Sequence, residues 1–152
     1  MAITIQSTYL DDYVKGFPGM VANGETSNRI SRTVEDAAGI AFGKAAFRGT
    51  GDHGVTATPA ANTFMGITIA DAGVIQNIGD PVDTYVQYST AGLLNEGCIY
   101  VTVGADVTDG AAAYVTSAGA FTATATGNTA IPAVFDETVS NGGICRLRVR
   151  RS

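Results

Sequence analysis

Beyond Lys44 the chain is cut at short intervals by Gly, Asp, Asn and Pro. The pieces between the cuts are short and rich in Val, Ile, Thr, Tyr and Phe. That punctuation leaves little room for long helices and suits strands joined by turns. Candidate strands fall at 44–48, 54–57, 64–69, 84–88, 98–103, 113–116, 120–123, 131–135 and 143–149. The clearest hairpin is A-Y-V-T-S-A-G-A-F-T-A, turning at Ser117-Ala118-Gly119. Residues 123–129 read as a mobile loop. The spacing predicts an all-β domain, a β-barrel or jelly-roll-like sandwich. At 152 residues the chain can bury one core. Much of its 45% hydrophobic content is Ala, so many core side chains must be small.

Ahead of this domain the pattern differs. Residues 2–6 alternate in strand fashion, and 7–28 have few apolar anchors and a turn at Phe17-Pro18-Gly19. The expected division is an extended N-terminal arm over residues 1–30 and a β domain over 31–152. The stretch 27–49 joins them. Within it, 33–38 (T-V-E-D-A-A) is expected to form one short helical turn, capped by Ser31 or Thr33 and stopped by Gly39. No basic, apolar leader opens the chain, and no apolar run is long enough to span a bilayer, so no membrane partner is expected.

Charge is unevenly placed. Formal net charge is −5, yet every Lys and Arg lies between Lys15 and Arg48 or at Arg146, Arg148, Arg150 and Arg151. The interval 49–145 carries acids and no cation. This distribution has two readings: a solvated acidic body with basic ends, or head-to-tail complementarity between subunits or with an acidic partner. Only 15% of residues are charged, which points to a surface largely covered by partners.

Catalytic and cofactor constellations are weak. Gly49-Thr50-Gly51-Asp52-His53-Gly54 fits the dinucleotide spacing G-x-G-x-x-G. The next residues are V-T-A-T-P rather than the start of a helix that would face a pyrophosphate, so the stretch reads as a glycine-rich turn. His53 is the only histidine, which excludes a multi-histidine metal site. Asp80 with Asp83, Asp106 with Asp109, and Asp136 with Glu137 sit at turns, where Asp is an ordinary turn former. Cys98 and Cys145 lie far apart in apolar runs and read as buried free thiols. No cofactor is expected. Arg146, Arg148 and Arg150 alternate with Leu147 and Val149, which puts their guanidinium groups on one strand face. They read as a solvent-facing strand end or as an Arg face for an acidic partner. Nucleic acid suits the patch poorly, because aromatic interleaving is absent and the acidic body opposes phosphates.

The order of motifs resembles the structural cement (head decoration) proteins of tailed bacteriophages. The carrying residues are Ser31-Arg32 with Glu35, Phe42-Gly43-Lys44-Ala45 leading to Gly49, Phe64-Met65-Gly66-Ile67-Thr68 and Gly97-Cys98-Ile99-Tyr100-Val101. Val107 with Asp109-Gly110, Ala113-Tyr114-Val115, Gly119-Ala120-Phe121, Ile131-Pro132-Ala133 and Gly142-Gly143-Ile144 complete the pattern. Met20-Val21-Ala22 and the Arg-rich closing strand depart from it. The resemblance implies a β-barrel or jelly-roll-like domain with an N-terminal arm. It also implies trimers on the capsid exterior that clamp neighbouring major capsid protein subunits, after synthesis in the bacterial cytoplasm. The expectation is therefore a non-enzymatic virion protein. Candidate inter-subunit or capsid contacts are Arg29, Arg32, Glu35, Arg48, Arg146, Arg148 and Arg150. A glycan- or receptor-binding β module is the alternative; the absence of Trp, the usual sugar-stacking residue, counts against it.

Overall fold

A computed structural model describes residues 15–150. The strand-like alternation at 2–6 and the cation Arg151 lie outside the described residues. Between those limits the structure is all-β. The strands are β1 (Asn28–Val34), β2 (Ile40–Ala41), β3 (Ala45–Arg48), β4 (Gly54–Thr56), β5 (Phe64–Thr68), β6 (Thr84–Tyr85), β7 (Thr90–Thr102), β8 (Ala112–Val115), β9 (Phe121–Thr122), β10 (Thr129–Phe135) and β11 (Ile144–Val149). The hairpin at 117–119 joins β8 to β9, with Gly119 N–H donating to Thr116 O. The 123–129 loop is a turn in which the Asn128 side chain donates to Thr124 O at 2.9 Å.

The 13-residue β7 organises everything else. Its first half pairs with β5 on one side and β1 on the other, and β1-β4-β3-β5 complete the circuit, so these strands close on themselves. Its second half pairs with β11, which leads through β10 and β8 to β9. A parallel bridge from Val103 to Phe121 then returns β9 to the residue just past β7. The result is two barrel-like halves sharing one strand. That sharing shows in the side chains. Leu93 and Leu94 are adjacent and both fully buried, Leu93 packing with Val34, Val55 and Tyr85, and Leu94 with Phe47, Ile99, Phe121 and Leu147. A strand with a core on each face loses its apolar–polar alternation. Each large apolar side chain so buried is worth about 1.5–3 kcal/mol.

The helical turn expected at 33–38 is not there. Thr33 and Val34 finish β1, and Thr33 N–H donates to His53 O. Glu35 and Asp36 then turn their carboxylates onto backbone and side-chain donors of the next hairpin instead of capping a helix. The direction reverses at Asp36–Gly39, closed by Gly39 N–H to Asp36 O. Tertiary donors outcompete a local helical turn because a lone turn holds little stability of its own.

The segment ahead of β1 lies on the second half of β7. Ala22 N–H donates to Cys98 O, Tyr100 N–H to Met20 O, and Gly19 N–H to Tyr100 O. Gly19 is required there. Its φ is +88°, and a Cβ would stand 2.8 Å from Ala70 N and 3.0 Å from Gly43 N. Two backbones therefore meet where only hydrogen atoms fit.

Candidate assembly surface

The charged residues singled out in the sequence divide into groups. Glu35 turns inward onto the glycine-rich turn. Its carboxylate accepts from Thr50 N at 2.8 Å, Thr50 Oγ1 at 2.9 Å and Gly51 N at 2.8 Å. Those bonds, led by the Thr50 amide, hold its pKa below the ordinary carboxylate value. A Cβ on Gly54 would lie 1.6 Å from Glu35 Oε1. The glycines of the G-x-G-x-x-G stretch thus make room for this chain's own anion, and two of the turn's amides are already used. Asp36 does the same one residue on, accepting from Thr56 Oγ1 and Ala57 N, both at 2.6 Å.

Arg146 and Arg148 share the outward face of β11, as the alternation predicts, and both are paired within the chain. Arg146 Nε lies 2.7 Å from Glu137 Oε1, close for an ion pair but off the line of a good hydrogen bond. Glu137 Oε2 also takes Lys15 Nζ at 3.0 Å. Arg148 bonds Asp136 through Nη2 at 3.1 Å and Glu25 through Nη1. The Glu25 bond, then the Asp136 bond, raises the Arg148 pKa. For Arg146, burial is the largest single influence and pulls downward, but Glu137, Asp136 and Tyr100 together outweigh it and the pKa is raised. Lys15 and Glu25 belong to the segment ahead of β1, so this network staples that segment to the β10–β11 pair. On the opposite face of β11, Cys145 is fully buried; burial, then Glu137, pushes its thiol up to about 11. Cys98 is also buried, and both cysteines are free thiols.

The remaining arginines have a different setting. Arg32, Arg48 and Arg150 line one groove of about 300 Å³ with Asn28, Asn95, Ile30, Phe64, Met65 and Pro132. No carboxylate lines it, and these arginines make no ion pair among the described residues. The groove draws on β1, β3, β5, β7, β10 and the residue after β11, so six separate parts of the fold converge on it. Arg29 points the other way on β1 and lines a neighbouring depression with Ser31, Gly92 and Asp71. All of these arginines are visible in the sequence, but not that three of them share a groove with Ile30, Phe64 and Met65. Sequence reasoning also missed the exposed loop at 71–83, where Ile75, Ile78 and Val82 face solvent. Branched aliphatics between turn-forming Asp, Gly and Pro were the available signal.

Among the described residues no group of His, Cys, Asp and Glu is arranged to hold a metal, and no helix is long and apolar enough to cross a membrane. Shared-strand barrels whose charges either staple the chain or line an open groove define a structural binding module. The comparisons name its kind. The family profile for the structural cement protein (E217 gp24/Pam3 gp6) matches residues 5–150, and the chain belongs to this phage cement family. The fold also matches a chain from the capsid of Myoviridae phage XM1 with a TM-score of 0.68 and 21% identity, over 97% of this chain and 98% of that one. No curated protein sequence matches. The protein is a capsid cement protein, and its place is the virion.

Proposed function

We propose that the protein binds the outside of a phage head as a homo-oligomer, a trimer, and ties neighbouring major capsid protein subunits together without catalytic chemistry. The observation that carries this reading is the cement-family match over residues 5–150. The physical arrangement supports it. Many copies, each with modest contacts across a capsomer boundary, sum to a strong clamp because each further contact is effectively intramolecular. The arm, residues 1–30, adds to the contact made by the β domain, residues 31–152, although its residues 28–30 run in β1. The staple around Arg146 and Arg148 holds the arm's residues Lys15 and Glu25 in place. Of the candidate contacts, Arg29, Arg32, Arg48 and Arg150 are the ones assigned to neighbours, while Glu35, Arg146 and Arg148 act through the shape they hold.

The test is co-sedimentation of the purified protein with expanded heads that lack it, then heating of the complexes. Saturable binding and a raised rupture temperature are expected. Protein that stays in the supernatant at every concentration contradicts the reading.

A further inference from the structure

The loop 71–83 is the least expected surface of the molecule. Ile75 is 82% exposed, Val82 76%, and Ile78 is fully exposed. An unstructured loop could show such residues by chance, but this one is held in shape by its own groups. Asp71 Oδ1 accepts from Gly73 N at 2.7 Å, Asp80 Oδ2 from Asn77 N at 2.8 Å, and Gln76 Nε2 donates to Pro81 O at 3.0 Å. Presenting aliphatics on a pre-shaped loop lowers the ordering cost of docking. The loop also carries Asp71, Asp80 and Asp83 and no cation.

Its complement is on the same chain. The Arg32–Arg48–Arg150 groove is lined by those three cations together with Ile30, Phe64 and Met65, is mainly polar, and holds no acid. Two hollows flanking the loop share no residue with that groove, and a third, lined by Arg29 and Asp71, shares only Ile30 with it. An acidic, aliphatic loop and a basic groove on one molecule make a head-to-tail pair. Building on the homo-oligomer part of the proposed function, we infer that the loop 71–83 of one copy seats in the Arg32–Arg48–Arg150 groove of a second copy. The aspartates meet the guanidinium groups, and the aliphatic side chains lie against Ile30, Phe64 and Met65. Arg is suited to this because its planar fork holds a carboxylate through two hydrogen bonds. A second copy is favoured over another partner because every copy brings both halves of the complement. Such contacts close into a ring where the rotation allows and otherwise propagate.

Sedimentation equilibrium on the full chain tests this. The wild type is expected to be an oligomer. Ile75→Ser with Ile78→Ser, Ala72→Lys with Val82→Lys, and Arg48→Glu with Arg150→Glu should each weaken association by at least about tenfold. All these side chains are exposed, so unfolding midpoints should stay at the wild-type value. Combining the two Lys with the two Glu substitutions restores opposite charge across the contact and should recover much of the mass. A wild-type monomer overturns the inference, as do variants of undiminished mass or a folded combined variant that stays monomeric. Head co-sedimentation is scored separately: a monomer that still binds heads overturns this interface and leaves the cement reading standing.

Discussion

Arg148, in β11, and Arg150, just past its end, lie two residues apart and meet opposite surroundings. Arg148 is bonded to Asp136 and Glu25; Arg150 lines a groove that holds two further arginines and no acid. Register makes the difference. β10 runs antiparallel to β11 with Val134 opposite Arg148 and Ala133 opposite Val149, which leaves Pro132 beside Arg150. The acids Asp136 and Glu137 come directly after β10, so they reach Arg146 and Arg148 and not Arg150. One series of like charges is thus split into a part that holds the chain together and a part left for a neighbour. Identical residue types in one alternating run carry no mark of that split; the partner strand decides it.

That contrast can be strained from the stapled side first. Gly19→Ala should give the largest loss of stability, about 2 kcal/mol, because a Cβ at a positive φ would meet the backbone of Ala70 and Gly43. Denaturant unfolding measures it. Arg148→Ala comes next. It removes two partly exposed ion pairs and should cost about 1 kcal/mol, with faster proteolysis of the segment ahead of β1. Arg48→Ala, on the groove side, should stay within about 0.5 kcal/mol of wild type in the same assay. Equal losses from Arg148→Ala and Arg48→Ala would erase the distinction.

Acid sharpens the comparison further. The Glu35 pKa is lowered on folding, so its contribution is complete above the ordinary carboxylate range and is lost as pH falls through the lowered value. Amide shifts of Thr50 and Gly51 should therefore inflect below about pH 4.5, and Glu35→Gln should remove the inflection. Gly54→Ala should mimic Glu35→Gln, because only the flexible carboxylate has to move aside. An inflection above pH 4.5 would contradict the assignment. The smallest effect concerns the thiols: Cys145, pushed up to about 11, should resist alkylation at mildly alkaline pH until the protein unfolds.

Much of the β domain was legible because Val, Ile, Phe and Tyr between Gly and Asp turns carry a direct strand signal; β3, β4, β5, β8, β10 and β11 fall where that signal puts them. What was hidden has a physical cause in each case. β1 was hidden because its partly buried face includes Asn28 and Arg32 beside Ile30 and Val34, so alternation does not separate polar from apolar. The first half of β7 was hidden because Leu93 and Leu94 serve different cores. Glu35 and Asp36 looked like helix-start acids, and nothing local shows that a hairpin 15 to 21 residues on supplies their donors. For the assembly surface, the cations were visible one by one, but the groove under Arg32, Arg48 and Arg150 exists only once six parts of the fold converge.

The most direct measurement compares two variants by sedimentation equilibrium at equal concentration: Arg48→Ala with Arg150→Ala, and Arg148→Ala. The groove variant should lose mass toward the monomer while its unfolding midpoint stays at the wild-type value. Arg148→Ala should keep the wild-type mass with a lowered midpoint. A groove variant that retains full mass, or an Arg148→Ala protein that dissociates while the groove variant does not, would contradict the division of these arginines into those that hold the chain and those that hold its neighbours.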